Sequence, residues 1–293
     1  MTNLIPRVEF LAQALVRRRR SCPHCASRAC PVVARKHWVV RVRRCERCRL
    51  CFTDPTYRSV MGPLYGGLYD AEGMTTRTPG SEELGALLES SFRGTDKDAH
   101  ARLDVLAGLV PNGRMLEVGS SWGYFLHQAR EHGFDPTGVE LDAERRGFGR
   151  ERLGADIVAG FEDLGDARFD VVYSAHTLEH FTDLAGVLPK VRSLLVPGGL
   201  LALEVPHFDL EGRGPEALSL VGAVHPLGFT EEFFRRNLPR AGFDEPRAFD
   251  RWKDAPERPV ARCTSDVLIF LARRAVGSPA AAEDPDVRGE LAA

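Results

Sequence analysis

The sequence predicts an α/β protein: a doubly wound, mostly parallel sheet preceded by a small cysteine-rich module. Two observations support this prediction. From residue 114 onward, short apolar runs alternate with amphipathic segments, as strands alternate with helices in such sheets. Six of the seven cysteines lie between Cys22 and Cys51, a density that indicates a separate small module. A chain of 293 residues is long enough for both parts.

The cysteine-rich module contains two Cys-x-x-Cys pairs with 19 residues between them. This spacing is typical of a zinc ribbon, in which four thiolates surround one ion. Because no coordination position is left for a substrate, we expect the Zn²⁺ to be structural and to stabilise a module too small to fold on its own core. The predicted ligands are Cys22, Cys25, Cys45 and Cys48. Three spare ligands lie nearby: His24, Cys30 and Cys51.

The sequence shows no candidate for a membrane span. No run approaches the roughly 20 apolar residues that cross a bilayer, and the apolar residues 10–16 lead into four arginines instead of a cleavage site. We therefore expect a cytoplasmic protein with no membrane partner. In that reducing compartment, clustered cysteines bind metal more readily than they form disulfides.

Charge is distributed unevenly along the chain. Residues 1–60 carry 14 Arg and Lys against 3 Asp and Glu, whereas the rest carries 25 against 38. A basic module attracts an anionic partner, such as RNA, a nucleotide-sugar or an acidic carrier protein. Only four lysines accompany 35 arginines, however, which indicates a coding bias. A functional basic patch and an ordinary solvated surface both stay open.

A glycine-rich turn follows the first predicted strand of the sheet, residues 115–118. Gly119 and Gly123 let the backbone approach a ligand without a Cβ clash, and the amides that start the next helix favour a carboxylate. Glu117 can accept the ammonium of the same ligand. Glu140 ends the next strand, 17 residues after Gly123, and is well placed to accept hydrogen bonds from ribose hydroxyls.

This series resembles the first motifs of class I S-adenosylmethionine-dependent methyltransferases, with Ser121 in place of the family's middle glycine. Residues 169–180, which end in Leu-Glu-His, are similar to the family's fourth-strand signature, and residues 194–201 are similar to its entry to strand five. The resemblance covers residues 100–274. It implies a Rossmann-like fold with a mostly parallel seven-stranded sheet, and S-adenosylmethionine as the cofactor. The cofactor-binding residues that it implies are Glu117, Gly119, Ser121, Gly123, Glu140, Phe161, Glu162 and Ser174, with Phe161 packed on the adenine.

Histidines that follow strands four and five are candidates for removing a proton from an acceptor. His225 is the first choice because its segment resembles the family's His-x-x-x-Phe-Thr; the others are His180, His176 and His207. His176 to His180 also fits the His-x-x-Glu-His pattern of inverted zinc proteases, which would leave the methyltransferase motifs unexplained. A divalent ion that assists a substrate hydroxyl there is another alternative. Candidates for the wall of the acceptor pocket are Tyr65, Tyr69 and Trp122.

The ribbon resembles zinc modules attached to natural-product and sugar methyltransferases. We therefore predict methyl transfer from S-adenosylmethionine to a small-molecule acceptor of secondary-metabolite or sugar type, either anionic or carrier-bound. The alternatives are an RNA methyltransferase that docks phosphates on the basic ribbon, which no RNA module favours, and a non-catalytic, cofactor-binding regulatory protein. The predicted divisions are the zinc ribbon (1–56), a helical linker or lid (57–99), the methyltransferase domain (100–274) and a disordered tail (275–293).

Overall fold

The structure, a computed structural model, describes residues 19–36, 40–55, 77–222 and 225–277. Its centre is a seven-stranded sheet with the spatial order β10-β11-β8-β7-β4-β5-β6. The strands are β4 (Arg114–Val118), β5 (Asp135–Val139), β6 (Asp156–Val158), β7 (Phe169–Ala175), β8 (Leu195–Pro206), β10 (Arg247–Phe249) and β11 (Val267–Arg273).

All strands of this sheet are parallel except β11, which pairs antiparallel with β8 on one side and with β10 on the other. The predicted Rossmann-like, mostly parallel seven-stranded sheet is thus confirmed. In the central pairing, Glu117 of β4 lies level with Gly138 of β5 and with Tyr173 of β7. Because these three strands are parallel, the loops that follow them meet at one edge of the sheet.

Helices cover both faces of the sheet, as alternating burial along the strands requires. Met115 and Val171 pack on one face with α2 (His100–Leu109) and α3 (Tyr124–Glu131). Leu116 and Val172 pack on the other face with α5 (Val187–Leu194) and α7 (Glu231–Arg240). The helices are α1 (Ser81–Glu89), α2 (His100–Leu109), α3 (Tyr124–Glu131), α4 (Ala143–Leu153), α5 (Val187–Leu194), α6 (Leu210–Arg213) and α7 (Glu231–Arg240). Short 3₁₀ helices span Phe161–Leu164, Leu178–His180, Gly214–Leu220 and Trp252–Asp254.

The cysteine-rich module forms a second, antiparallel sheet with the order β1-β2-β3-β9. Its strands are β1 (Val32–Lys36), β2 (Val40–Arg44), β3 (Cys51–Asp54) and β9 (Leu227–Gly228). The last of these comes from the loop before α7, so the main domain completes the sheet of the ribbon. The amide of Asn237 on α7 also donates to the carbonyl of Cys48 at 2.9 Å. The ribbon and the main domain share one hydrophobic core, in which Phe52 and Phe233 both lie.

Several predicted segments lie outside the described residues. They are residues 1–18, the last residue of the predicted ribbon (56), the first part of the predicted linker (57–76, with Tyr65 and Tyr69) and most of the predicted tail (278–293). Within the described part of the chain, no helix has both the length and the apolar character that a membrane span requires.

Candidate functional site

The turn after β4 has the backbone conformation that its glycines predict. Gly119 and Gly123 have φ values of +84° and +83°, and Ser121 between them has +49°. A Cβ on Gly119 would lie 2.1 Å from Oγ1 of Thr177, which follows β7. The position therefore requires glycine for two reasons, its left-handed conformation and the close approach of Thr177.

Glu117 places a buried carboxyl group directly before this turn. The residue is 5% exposed, and Oε2 has no hydrogen-bond partner among the described residues. Burial raises the pKa of Glu117 well above its ordinary value, against the opposing charge of Arg102. A buried carboxylate oxygen without a partner needs an explanation, and a cationic or hydroxyl-bearing ligand supplies one.

Glu140 joins the end of β5 to the glycine turn. Its Oε2 accepts a hydrogen bond from the amide of Ser121 at 2.9 Å, and its Oε1 accepts one from the amide of Asp142 at 2.9 Å. Each carboxylate oxygen has a further lone pair, so the half-buried Glu140 can still accept from a diol. The carboxylate therefore both braces the turn and presents acceptors at the carboxyl ends of the strands.

The other predicted cofactor residues lie around the same edge with different exposure. Phe161 is partly buried at the start of its 3₁₀ helix, and Glu162 next to it is exposed. Ser174 is buried, and its hydroxyl donates to the carbonyl of Val118 at 3.2 Å, so it also ties β7 to β4. The hydroxyl of Ser121 is buried and has no partner among the described residues.

Trp122, a predicted candidate for the acceptor wall, lies in a hydrophobic cluster of the core. Its ring is fully buried and packs against the rings of Phe92, Tyr124 and Phe148. Sequence alone did not reveal this because both a pocket wall and a core position favour an aromatic side chain.

The histidines at the carboxyl edge fall into two environments. His176 lies between two carboxylates, with Nε2 at 3.1 Å from Glu204 and Nδ1 at 3.6 Å from Glu179. Burial lowers its pKa, but the nearby carboxylates of Glu179 and Glu204 outweigh burial and raise the pKa of His176 to about 9. A protonated imidazole cannot accept a proton, so the structure favours His180 and His225 over His176 as a base.

His180 and His225 lie together, although 45 residues separate them in the chain. Their ring centroids are 4.5 Å apart at an angle of 74°, and both side chains are half-buried. Nδ1 of His225 is 3.0 Å from the carbonyl of Leu220. Because a carbonyl only accepts, the proton of a neutral His225 lies on Nδ1 and leaves the lone pair on Nε2. His207 bonds in the same manner to the carbonyl of Ser265 at 3.1 Å.

The four predicted zinc ligands converge in the ribbon. Their sulfur atoms lie within 4.8 Å of one another, with 3.4 Å between Cys22 and Cys48 and 3.5 Å between Cys25 and Cys45. Four sulfurs bound to one zinc at about 2.3 Å would be about 3.8 Å apart, so the set fits a tetrahedral ion with little movement. Hydrogen bonds from the other three thiols, Cys22 first, hold the pKa of Cys45 well below its usual range.

The spare ligands have other roles. Cys30 donates its thiol to the carbonyl of Ser27 at 3.2 Å. Burial raises the pKa of Cys51 to about 12, which keeps it a thiol in the core. His24 packs edge-on against the ring of Phe233 at 5.2 Å. The four-cysteine set can therefore hold a structural zinc ion without them.

Comparison with known proteins decides the family. Residues 93–253, more than half of the chain, match a family model described as a methyltransferase domain. The chain belongs to this family. Its motifs and its fold are those of class I S-adenosylmethionine-dependent methyltransferases, as the sequence predicted. The matched range includes the glycine turn, both acidic strand ends and the histidines at the carboxyl edge of the sheet.

Individual relatives of this methyltransferase are distant. The ubiquinone biosynthesis O-methyltransferase of Rhodopseudomonas palustris (strain BisB18) is 26% identical over 164 residues, 54% of this chain and 58% of that protein. The C-methyltransferase NovU of Streptomyces niveus is 33% identical over 110 residues, 34% of this chain and 26% of that protein. The chain thus matches about half the length, or less, of these curated relatives.

A solved structure supports the fold. The TehB-like SAM-dependent methyltransferase from Corynebacterium glutamicum superimposes with a TM-score of 0.50 at 18% identity, covering 73% of this chain and 100% of that chain. At this identity, the likeness shows the fold alone.

The site of the methyltransferase fits its cofactor. S-adenosylmethionine carries an ammonium, a carboxylate and a ribose diol. The unpartnered oxygen of Glu117, the free lone pairs of Glu140 and the hydroxyl of Ser121 offer hydrogen-bonding groups of matching chemistry along one edge.

Three residues of this site were not predicted from the sequence. Thr177 closes the glycine turn, and Arg102 on α2 lies 3.4 Å from Glu204 on β8 and also acts on the charge of Glu117. Glu204 further binds His176 and the indole of Trp252. Arg102 and Glu204 lie outside the sequence motifs, and Thr177, although it lies within the motif of residues 169–180, reaches the glycine turn only through the tertiary fold.

Proposed function

We propose that this methyltransferase transfers the methyl group of S-adenosylmethionine to a small-molecule acceptor of the secondary-metabolite or sugar type. The observation that carries the proposal is the pair of half-buried imidazoles, His180 and His225, at the same edge of the sheet as the glycine turn. In open α/β sheets this edge is where ligands bind. The names of the relatives, a ubiquinone O-methyltransferase and a C-methyltransferase, agree with small acceptors.

In this proposal the residues of the turn bind the cofactor. Glu117 accepts the ammonium, Glu140 accepts the ribose hydroxyls, and Gly119 and Gly123 let the backbone lie against the ligand. Phe161 packs on the adenine, and Ser121 provides one further polar contact. When bound, S-adenosylmethionine supplies a methyl group already activated by the positive sulfur. Positioning then contributes much of the rate, up to about 7–11 kcal/mol of the barrier.

In the same proposal, the pair His180 and His225 removes the proton of the acceptor. A neutral imidazole with its lone pair on Nε2, as the Leu220 contact gives His225, can remove a proton from an oxygen or carbon nucleophile. His176 is positively charged at neutral pH and instead holds the loop after β7 against Glu204.

The charges of the ribbon favour a small acceptor over RNA. Several of its arginines are engaged in ion pairs: Arg43 with Asp54 at 2.8 Å, Arg44 with Glu211 at 2.9 Å and Arg49 with Glu232 at 2.8 Å. Two of these pairs join the ribbon to the main domain. Arginines held by carboxylates contribute less to a phosphate-binding surface than their number in the sequence suggests.

Calorimetric titration with S-adenosylmethionine, S-adenosylhomocysteine and NADH tests the cofactor part of this proposal. We expect the first two to bind and NADH not to bind. A panel of phenolic and nucleotide-sugar acceptors, with release of S-adenosylhomocysteine as the readout, tests the acceptor class. If neither sulfur nucleoside binds, the proposed function is wrong.

A further inference from the structure

A second group of metal-binding side chains lies where the parallel strands of the main sheet end, away from the zinc ribbon. Glu179, His180 and His225 each present a ligand atom within 4.8 Å of the other two. Two of them are consecutive in the 3₁₀ helix after β7, and the third comes from the loop before β9. These elements pack against each other, so the group is built by the fold and not by sequence proximity.

The carboxylate of Glu179 has no adequate partner for its burial. The residue is 2% exposed, and neither of its oxygens has a hydrogen bond among the described residues. Nδ1 of His176 lies 3.6 Å from Oε1 of Glu179, which is an ion-pair distance. In the described part of the chain, Oε2 of Glu179 has neither a hydrogen bond nor an ion pair. A buried, unpartnered carboxylate oxygen that faces two imidazoles indicates a missing cation.

His225 has the hydrogen bond that metal-binding histidines usually have. Its Nδ1 donates to the carbonyl of Leu220 at 3.0 Å, which fixes the ring and the tautomer. Such a bond to a backbone carbonyl typically orients a histidine whose other nitrogen binds metal. His180 lies with its ring centroid 4.5 Å away, close enough for both imidazoles to reach one ion.

We propose that Glu179, His180 and His225 bind one divalent transition-metal ion, and that the remaining coordination positions take an oxygen of the methyl acceptor. Two imidazoles and one carboxylate suit Zn²⁺, Co²⁺, Fe²⁺ or Mn²⁺ better than Mg²⁺ or Ca²⁺. Three protein ligands leave positions open, in contrast to the closed four-cysteine site.

The role of the ion rests on the proposed function, although its binding does not. A bound hydroxyl of the acceptor loses its proton to water more easily because the ion stabilises the resulting oxyanion. The histidine pair then acts through the ion instead of removing the proton itself. The acceptors that this favours carry a phenol, an enol or a pair of neighbouring hydroxyls.

Cobalt binding tests the site on the full-length protein with zinc already in the ribbon. We expect Co²⁺ to bind with one equivalent per chain and to give weak visible absorption without the strong near-ultraviolet band of a thiolate ligand. Glu179→Gln and His225→Gln should each weaken this binding at least tenfold. His127→Gln is the matched control, because His127 also lies near a carboxylate, 3.7 Å from Glu131, but lacks a second imidazole ligand; its Co²⁺ binding should equal that of the wild type.

The inference is overturned if the wild type shows no such binding, if only a thiolate band appears, or if Glu179→Gln and His225→Gln bind Co²⁺ as the wild type does. Thermal melting and S-adenosylhomocysteine binding, measured on each variant, show that the fold and the cofactor site are intact. S-adenosylhomocysteine binding without Co²⁺ binding rejects the metal site and leaves the proposed function standing. Co²⁺ binding without S-adenosylhomocysteine binding supports the metal site and shows that the proposed function is wrong.

Discussion

Glu117 affects the stability of the free protein and the binding of the cofactor in opposite directions. Its carboxyl group is buried with an unpartnered oxygen, and its pKa is raised by that burial. A carboxylate that is costly to ionise in the free protein becomes favourable once a cation lies beside it. The same residue should therefore destabilise the free protein and contribute to cofactor binding, a common compromise at functional sites.

The first prediction follows from the direction of this pKa shift. Below the raised pKa of Glu117 the free site holds a proton, which must leave when the ammonium binds. Affinity for S-adenosylhomocysteine should therefore increase as pH rises through that pKa, with proton release on binding. Calorimetry in buffers of different ionisation enthalpy measures this release.

Glu117→Gln provides the check on that linkage. The variant should release no proton and bind more weakly at neutral pH, and without ligand it should be more stable by roughly 1 kcal/mol, since an unpaired buried carboxylate costs stability. Because the carboxyl has a raised pKa in the folded state, this gain should be larger at high pH and vanish at low pH. Equal proton release in both proteins would show that another group titrates.

Glu140 gives a second prediction at the residue scale. Glu140→Ala removes the acceptor of the Ser121 and Asp142 amides as well as the proposed ribose contact. Affinity for S-adenosylhomocysteine should fall by roughly 1–3 kcal/mol, the scale of lost charge-assisted hydrogen bonds. Glu151→Ala, on the exposed side of α4, should leave it unchanged. Unchanged affinity in Glu140→Ala would place the ribose elsewhere.

At the scale of elements, the glycine turn depends on contacts that do not come from its own strand. Gly119 needs a left-handed backbone, and Thr177 after β7 fills the space where a side chain would lie. The hydroxyl of Thr177 is held by the carbonyl of Ala175 at 2.9 Å. The turn and the loop with Glu179 and His180 are therefore fitted to each other.

Gly119→Ala should disturb both loops. We expect lower stability by about 1–3 kcal/mol, from overpacking and backbone strain, and a cofactor affinity reduced at least tenfold. Gly147→Ala in α4 is the matched control: an added Cβ meets nothing within 4 Å there, so stability should rise by about 0.5–1 kcal/mol. Thermal melting and calorimetry measure both effects. Similar behaviour of the two variants would contradict the close fit.

The elements that could be predicted are those with continuous local patterns. The buried strands β4, β7 and β8 read as apolar runs because both of their faces are covered by helices. The strand β10 was not predicted, since Arg247–Phe249 is three residues long and has no apolar run. The two-residue β9 exists only because Leu227 and Gly228 pair with β3, far away in the chain. Such pairings have no local signal.

The same reason separates the predicted from the unpredicted residues of the site. Glu117, Gly119 and Glu140 lie at strand ends, where the residue types themselves indicate a nucleoside site. The metal-binding group needs His225 beside Glu179 and His180, and that proximity depends on where the tertiary fold places His225. The sequence motif His-x-x-Glu-His pointed to His176 as the partner of His180, whereas the fold supplies His225.

At the scale of the whole molecule, the ribbon contacts the loop before β9 that contains His225, here called the acceptor loop. The amide of Thr53 on β3 donates to the carbonyl of Pro226 at 2.8 Å, directly after His225, and β3 then pairs with β9. On the other side, Leu184 before α5 donates its amide to the carbonyl of Pro23 between the first two cysteines. A zinc ion held by the four cysteines would therefore be linked to the position of His225.

Loss of zinc should affect the loop with His225 more than the cofactor site. Cys45→Ser should remove about one zinc per chain and lower stability by several kcal/mol, because the binding energy of a structural zinc is also folding energy. Cys30→Ser is the matched control, since its thiol bonds to Ser27 and lies outside the four-sulfur set; it should keep its zinc.

Metal analysis, thermal melting, and titrations with Co²⁺ and with S-adenosylhomocysteine measure these effects on both variants. We expect Cys45→Ser to lose Co²⁺ binding at Glu179, His180 and His225, and acceptor turnover with it, while S-adenosylhomocysteine affinity changes little below the melting temperature. This difference arises because β3 binds Pro226, next to His225, and pairs with β9, whereas Glu117 lies on β4 and Glu140 directly follows β5. If both ligands were lost to the same extent, zinc would stabilise the fold as a whole; if neither were affected, the ribbon would not position the acceptor loop.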